Sequence, residues 1–235
     1  AFVTRRADRV VAVSEHIARL LRRLPNVDKE EITVIPNGIS FPGTVIEPGS
    51  KGGPLAVACV CRLEPWKRPR LLLEAVALLN EDCSIAVSMI GSGPLEREMK
   101  ALAIDLGIED RVKVLGYRDD VSDLLAGADV LVHTARNEPF GLVILEAASV
   151  GALPIVMQDG GGALEALPPD GEVVRDASHL ATTLADLAGS SALSTEARRA
   201  RADWVRAHFN VDRCARRYAV VYEEAVTARM ADVQS

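Results

Sequence analysis

Short apolar runs alternate with segments of helical periodicity over most of the chain. The run ADVLVH (128–133) is apolar apart from Asp129 and the closing His133, which is typical of a strand buried on both faces of a sheet. A polar loop follows it, and LVILEAASV (142–150) then carries apolar residues at helical spacing. ALPIVM (152–157) is a second buried strand. This βαβ unit predicts that the loop before residue 142 lies at the carboxyl end of a parallel strand, where open α/β sheets bind ligands.

The same alternation continues on both sides of this unit. Further strands are predicted at 7–14, 31–38, 55–61, 84–90, 111–116 and 172–174. Helices are predicted at 15–24, 69–80, 94–107 and 120–128, with helical structure from Ala177 onward and a long helix from Val211 to about Met230. Ser14 is the expected N-cap of the first helix. The pattern predicts an α/β fold with a doubly wound, parallel, Rossmann-like sheet.

Composition excludes some classes of function. The 235 residues carry a net charge of −6, which argues against general nucleic-acid binding. No apolar run approaches the ~20 residues that cross a bilayer, and no signal peptide is visible. Cys59 and Cys61 stand two apart on a predicted strand and are interpreted as small buried side chains rather than as a metal or redox site. A reducing, cytoplasmic location is expected.

Two glutamates flank the start of the helix at 142–150. Glu138 lies in the preceding loop, and Glu146 lies eight residues later in the second helical turn. The helix start presents the unpaired amides of Gly141, Leu142 and Val143, which suit a phosphate. The carboxylates would repel a phosphate, so their natural partners are the hydroxyls of a sugar beside it. Alternatively, both glutamates only cap the helix and decorate its surface.

The stretch HTARNEPFGLVILEAASVGALPIV resembles the signature of retaining family 4 glycosyltransferases, which have the GT-B fold. The likeness extends from ADRVVAVSE near the start to the C-terminal helices. It implies that Glu138 meets the hydroxyls of the donor sugar and that Glu146 meets the ribose of the nucleotide. It also implies that the backbone of Phe140, Gly141 and Leu142 faces the diphosphate.

A second candidate site is CRLEPWKRP, which follows the strand at 55–61. Arg62 and Lys67 therefore share the carboxyl edge of the sheet with Glu138. Arginine can grip phosphate oxygens bidentately, and lysine adds a compact charge, so the two could offset most of a diphosphate's charge without a metal or cofactor. Basic residues near a helix start are also commonplace. The resemblance implies catalytic roles for Arg62, Lys67 and Glu138.

Other motifs point to the same edge. GSGP places Gly91 and Gly93 after a strand, but the third glycine of the dinucleotide fingerprint is absent. The resemblance implies that this loop lines the donor cleft and that Tyr117 borders the base. DGGGALE (159–165) resembles the family's glycine loop over the donor sugar. For His133, strand-end packing and a contact to the donor are both open.

The resemblance implies four parts. Residues 1–40 would be the end of an N-terminal, acceptor-binding domain, and the Pro- and Gly-rich segment 41–54 a linker. Residues 55–210 would form the donor-binding domain, and 211–235 a C-terminal helix that braces the first domain. The chain would then supply the donor-binding half of a GT-B enzyme. Transfer of the sugar would require the missing N-terminal domain or a partner chain.

The expected partners are a nucleoside-diphosphate sugar and an acceptor whose identity stays open. Two alternatives to a retaining glycosyltransferase are a non-catalytic nucleotide-binding subunit and a nucleotide-sugar epimerase on the same fold. The first predicted helix also places basic residues on one face, namely His16, Arg19, Arg22 and Arg23. This face is either a solvated surface or a peripheral contact with acidic lipid at the inner face of the membrane.

Overall fold

The computed structural model describes residues 7–25, 32–41, 53–188, 190 and 193–234. The strands are β1 (Val10–Ala12), β2 (Ile32–Val34), β3 (Leu55–Val60), β4 (Ile85–Ile90), β5 (Val112–Gly116), β6 (Val130–His133), β7 (Leu153–Met157) and β8 (Glu172–Val174). The helices are α1 (Glu15–Arg22), α2 (Pro69–Ala77), α3 (Glu96–Asp105), α4 (Val121–Ala126), α5 (Leu142–Ser149), α6 (Ala177–Leu187), α7 (Thr195–His208) and α8 (Val211–Gln234). Most of the predicted linker 41–54 lies outside the described residues.

The larger sheet has six parallel strands in the order β5-β4-β3-β6-β7-β8. From β3 the chain winds outward to β5, and it then returns to pair β6 beside β3, with Val57 opposite Val130. The order of winding reverses between β3 and β6, which makes this pair the topological switch point of the sheet. The prediction of a doubly wound parallel sheet is therefore confirmed. The helices α2 to α5 are shorter than predicted, while α8 extends beyond residue 230.

Apolar layers cover both faces of this sheet. Helices α2, α3 and α6 pack on one face, and α4, α5 and α7 pack on the other. All five residues of β7 are buried, which explains why the strand reads as a continuous apolar run. At about 1.5–3 kcal/mol per buried aliphatic side chain, these layers hold the strand ends in place. The loops that carry the candidate site therefore start from rigid positions.

A smaller sheet holds β1 and β2, which run parallel and are joined by α1. The predicted N-cap is confirmed, because the hydroxyl of Ser14 accepts a hydrogen bond from the amide of Ile17 at 3.1 Å. Helix α8 contacts this unit: Arg217 donates to the carbonyl of Val34 at 2.6 Å, and Arg229 pairs with Asp8 at 3.2 Å. The C-terminal helix thus ties the small sheet to the rest of the molecule. Among the described residues, none of the helices combines the length and the apolar character that a membrane-spanning segment needs.

Two buried arginines on α7 secure the helices behind the site. Arg198 and Arg201 are each 1% exposed. Arg198 donates to the carbonyls of Ala126 and Ala128, at the end of α4, and Arg201 donates to the carbonyl of Gly151, just after α5. Buried cations are costly unless hydrogen-bonded, and helix C-termini supply free carbonyl groups. The pair therefore anchors the far ends of α4 and α5.

Candidate functional site

The candidate site lies at the carboxyl ends of β3 and β6, where the winding of the sheet reverses. Lys67 follows β3 and Glu138 follows β6, and the two residues are 71 positions apart in sequence. The Nζ atom of Lys67 lies 2.5 Å from Oε2 of Glu138. The side chains are only 13% and 11% exposed, respectively. The sequence placed both residues at one edge of the sheet, and the structure brings them into contact as a largely buried ion pair.

His133 ends β6 directly beneath this pair. Its Nε2 atom lies 3.2 Å from Oε2 of Glu138, and its side chain is 2% exposed. The orientation is not that of a hydrogen bond, and Nε2 has no hydrogen-bond partner among the described residues. His133 is therefore both a packed strand end and a neighbour of the glutamate. Strand-end packing of His133 is thus observed, and its contact to a donor stays a prediction.

The surroundings keep Glu138 ionised. Burial raises the pKa of this carboxyl group, but the His133 ring, the hydrogen bond from Lys67 and the charge of Lys67 lower it by more. The pKa of Glu138 therefore lies below its ordinary value. At neutral pH this group is a carboxylate that accepts hydrogen bonds and does not donate them.

The glycine loop after β7 holds the backbone of Glu138. The amide of Glu138 donates to the carbonyl of Gly160 at 2.9 Å, and the amide of Gly162 donates to the carbonyl of Glu138 at 2.7 Å. A Cβ atom at position 162 would collide with the carbonyl of Pro139. Glycine is required there because two backbone segments approach each other closely. The DGGGALE segment thus forms the wall of the site beside Glu138.

The start of α5 presents backbone rather than side chains to the site. Phe140 is 2% exposed, and its ring packs edge-on against Phe209 with centroids 5.9 Å apart. Only its backbone is left to face a ligand. Gly141 is half-buried and precedes the helix, while the side chain of Leu142 is exposed. The arrangement agrees with a backbone role for these three residues, and that role itself stays a prediction.

Glu146 on α5 lines a cavity of about 320 Å³ between α4, α5 and the segment after β2. Ile39, Ser40, Ser122 and Ser149 line the same cavity. The glutamate is exposed to solvent, yet the surrounding protein removes enough water to raise its pKa. A carboxylate among three hydroxyl groups suits a polar ligand that carries hydroxyls.

Gly91 and Gly93 allow the loop after β4 to pack on the loop after β3. A Cβ atom at position 91 would collide with the carbonyl of Cys61, and one at position 93 would lie 2.5 Å from the carbonyl of Leu63. Backbone hydrogen bonds hold the two loops together, including one of 3.0 Å from the amide of Leu63 to the carbonyl of Ser92. The glycines therefore shape the wall of the crevice through protein packing.

The other predicted residues lie farther out along the same edge. The side chain of Arg62 is 78% exposed and forms an ion pair with Glu64. Tyr117 is 79% exposed and follows β5, the outermost strand on that side. Both side chains are open to solvent and could meet a ligand that extends from the switch point.

The sequence did not single out Arg68 and Asp159. Arg68 has a left-handed backbone (φ 49°) and donates from Nε to the carbonyl of Thr134 at 2.9 Å. Its two terminal nitrogens bind both carboxylate oxygens of Asp159, at 2.9 and 2.5 Å. The residues are 91 positions apart, so only the fold reveals the pair.

The N-terminal unit rests on the same loops. The hydroxyl of Ser14 donates to the carbonyl of Pro139 at 2.7 Å. The carboxylate of Glu165 accepts the amides of Glu15 and His16, each at 2.7 Å, and so caps α1 from the glycine-loop side. An anion suits the positive end of a helix. These contacts join residues 150 and 149 positions apart in sequence, so only the fold reveals them.

Sequence comparison places this geometry among known proteins. The sequence model of the family "Glycosyl transferases group 1" matches residues 45–191, and that of "Glycosyltransferase Family 4" matches residues 1–41. A D-inositol 3-phosphate glycosyltransferase of Mycolicibacterium gilvum is 34% identical over 177 residues, which is 66% of this chain and 40% of that protein. The enzyme of the same name from Mycolicibacterium vanbaalenii is 34% identical over 214 residues, covering 77% and 46%. The chain spans less than half the length of these relatives.

Solved structures share the fold. The Anabaena protein HepE, crystallised with UDP-glucose, aligns with a TM-score of 0.81 at 24% identity, over 94% of this chain and 65% of HepE. A glycosyltransferase from Rickettsia africae aligns with a TM-score of 0.78 at 21% identity, over 93% of this chain and 63% of that one. At these identities the likeness establishes the Rossmann-like fold of GT-B proteins alone. Since the group 1 sequence model covers more than half of the 235 residues, this chain belongs to the glycosyl transferases group 1 family.

Proposed function

We propose that this chain binds the nucleoside-diphosphate sugar of a glycosyltransferase that retains configuration at the anomeric carbon. The observation that carries the proposal is the ionised Glu138, held against Lys67 at the switch point of the sheet. Glu146 lies on the same loop–helix unit and faces a cavity lined with hydroxyl groups. Glu138 is then the acceptor for the hydroxyls of the donor sugar, and Glu146 the acceptor for those of the ribose.

Lys67 is suited to bind the diphosphate between these two groups. Its ammonium has three N–H donors, and the pair with Glu138 occupies one of them. Three groups would meet the charge that develops as the diphosphate departs. They are the remaining donors of Lys67, the amides at the start of α5 and the charge of exposed Arg62. The anomeric carbon passes through an oxocarbenium-like state. We expect this binding to need no divalent metal.

The donor we propose is a UDP-sugar. The support is the Anabaena neighbour, which shares the fold and was crystallised with UDP-glucose. The curated relatives are D-inositol 3-phosphate glycosyltransferases, so inositol 3-phosphate is the first acceptor to test.

Transfer is proposed to require the N-terminal domain or a partner chain. Within the described residues the N-terminal unit has only β1, α1 and β2, and it covers one side of the Glu138 loop. Positioning an acceptor at the anomeric carbon is worth up to ~7–11 kcal/mol of the barrier. A chain that holds the donor without holding the acceptor would bind UDP-glucose and transfer nothing.

Calorimetry with the 235-residue chain tests the binding step. UDP and UDP-glucose are titrated with and without EDTA, into the wild type and into Lys67→Ala. Arg70→Ala is the matched control, because Arg70 forms an exposed ion pair with Glu74 on α2, away from the Lys67–Glu138 contact. Binding by wild type and control, weakened in Lys67→Ala and insensitive to EDTA, is expected. Binding that disappears in EDTA would contradict the metal-free site.

Product analysis tests the chemistry. The chain is joined to an N-terminal acceptor domain and incubated with UDP-glucose and inositol 3-phosphate. A glycosylated acceptor with retained anomeric configuration is the expected product. An epimerised nucleotide sugar would indicate an isomerase instead. Binding without any product, under conditions in which a curated relative is active, would indicate a nucleotide-binding subunit.

Peripheral membrane contact and a cytoplasmic location stay predictions. Helix α1 leaves Arg19 and Arg23 exposed to water or to acidic lipid, whereas Nε2 of His16 is buried and Arg22 pairs with Glu15 at 3.3 Å. Co-sedimentation with vesicles containing anionic lipid, compared with purely zwitterionic vesicles, distinguishes the two interpretations.

A further inference from the structure

Three loops meet at the side chain of Arg68. The residue follows Lys67 after β3, and its Nε atom donates to the carbonyl of Thr134 after β6. Its two terminal nitrogens bind both oxygens of Asp159 after β7. The hydroxyl of Thr134 returns a hydrogen bond of 2.6 Å to the carbonyl of Lys67. We refer to the Arg68–Asp159 pair, with its contact to Thr134, as the clasp.

The clasp is poorly explained as a stabilising device. Arg68 adopts a left-handed backbone conformation, which glycine would reach without the steric cost that a side chain brings. The side chains of Arg68 and Asp159 are 27% and 37% exposed, and ion pairs that water reaches contribute little to folding. The bidentate geometry fixes the relative orientation of the two side chains more than it adds to the stability of the folded state. What the clasp specifies is the relative position of the loops.

That relative position decides whether Lys67 reaches Glu138. Lys67 is the residue before Arg68, and Glu138 stands four residues after Thr134 on the loop that the clasp grips. Asp159 also holds this loop through its backbone, because its carbonyl accepts the amide of Asn137 at 2.9 Å. Lys67 is thus next to Arg68 in sequence, and Glu138 is next to Asn137, which is hydrogen-bonded to Asp159. Both ends of the Lys67–Glu138 contact therefore adjoin the clasp.

We propose that Arg68 and Asp159 are positioning residues, which hold the ammonium of Lys67 against the carboxylate of Glu138 so that the two can act together on a nucleotide sugar. The positioning of Lys67 against Glu138 is a property of this chain without any ligand. The effect on donor binding rests on the proposed function.

The pKa of Glu138 can report on the clasp because, in the part of the chain that the structure describes, few titratable groups face this carboxylate. These are Lys67, the His133 ring and the thiol of Cys61 at the end of β3. Burial raises the pKa of Glu138, and the His133 ring and Lys67 lower it by more. If breaking the clasp lets Lys67 move away from Glu138, the ammonium no longer counteracts the effect of burial on this carboxyl group. The pKa of Glu138 then rises. A clasp that served stability alone would leave this pKa unchanged while the folded state persists.

The experiment follows the carboxyl carbon of Glu138 by ¹³C NMR during a pH titration of the full 235-residue chain, with the resonance assigned through Glu138→Gln. Arg68→Lys keeps the positive charge but removes the two parallel N–H donors of the guanidinium group. Asp159→Asn keeps the shape of the side chain but removes its negative charge. Arg70→Lys is the control, since Arg70 pairs with Glu74 on the exposed side of α2. Thermal unfolding confirms that each variant is folded. The Kd ratio of UDP-glucose to UDP is measured in parallel at neutral pH.

In both clasp variants the pKa of Glu138 is expected to rise, and Arg68→Lys/Asp159→Asn is expected to shift it no further than either change alone. The preference for UDP-glucose over UDP should fall by about tenfold, the scale of one charged hydrogen bond to the sugar. Asp159→Glu, which keeps both acceptor oxygens, should retain most of that preference. Clasp variants that unfold at lower temperature but titrate like the wild type would overturn the proposal. If the wild type binds neither UDP nor UDP-glucose, the proposed function fails, and the Glu138 titration still decides whether the clasp positions Lys67.

Discussion

Replacing Lys67 with alanine should weaken UDP binding through two separate effects. The first is the loss of a charged hydrogen bond to the diphosphate, worth about 1.5–3 kcal/mol, which corresponds to roughly 10- to 150-fold in Kd. The second arises because Glu138 is only 11% exposed and loses the cation that lies 2.5 Å away. An unpaired carboxylate beside a diphosphate adds repulsion to the first loss. Lys67→Ala should therefore weaken UDP binding by more than would the loss of a lysine that contacts only the phosphate.

The second effect can be isolated by pH and by a double variant. In the wild type the pKa of Glu138 lies below its ordinary value, because the His133 ring and Lys67 outweigh the effect of burial. Without Lys67 the pKa rises, so Glu138 becomes protonated at a higher pH and its repulsion of UDP disappears on mild acidification. Lys67→Ala/Glu138→Gln should bind UDP more tightly than Lys67→Ala at neutral pH, and the difference should shrink as the pH falls.

Calorimetric titration of UDP at neutral and mildly acidic pH measures both effects, with thermal unfolding as a control for folding. The ion pair itself should contribute to stability above the ordinary pKa of a glutamate. That contribution is lost as the pH falls through the lowered pKa of folded Glu138. Equal UDP affinity of Lys67→Ala and wild type, or a double variant that binds no better than the single one, would refute this account of the site.

Three further predictions follow from the neighbouring residues. The pKa of Glu146 is raised and that of Glu138 is lowered, so Glu146 should be protonated first as the pH falls. The preference for UDP over 2′-deoxy-UDP should therefore be lost at a higher pH than the preference for UDP-glucose over UDP. Parallel titrations of the three ligands test this order, and Glu146→Gln should abolish only the preference for UDP over 2′-deoxy-UDP. Gly91→Ala should lower stability by about 1–3 kcal/mol in denaturant unfolding, since its Cβ would strike the carbonyl of Cys61, whereas Gly53→Ala, with nothing within 4 Å, should not. Glu64→Gln removes the ion pair that Glu64 forms with exposed Arg62, and it should strengthen UDP binding by about 0.2–1 kcal/mol, measured by calorimetry. Weaker binding of UDP would exclude Arg62 as a phosphate ligand.

The sequence by itself determined the parts that depend on local periodicity. Apolar runs such as ADVLVH must be buried on both faces, and the intervening helical segments force right-handed parallel crossovers, so the doubly wound sheet was predictable. The spacing of Glu138 and Glu146 across the start of α5 was equally local. Placing Lys67 and Glu138 at one edge needed only the rule that the carboxyl ends of parallel strands share an edge.

Only the tertiary structure decided which side chains meet at that edge. Each contact depends on loop conformations that no short-range pattern encodes, since it joins residues far apart in sequence. Arg68 reaches Asp159 across 91 positions, and its left-handed backbone is set by the loops that it joins. The sequence predicted that Gly91 lines the donor cleft, and only the structure shows that its Cβ position is filled by the carbonyl of Cys61. Periodicity determines where a strand ends, whereas packing between loops determines what the groups beyond that end can touch.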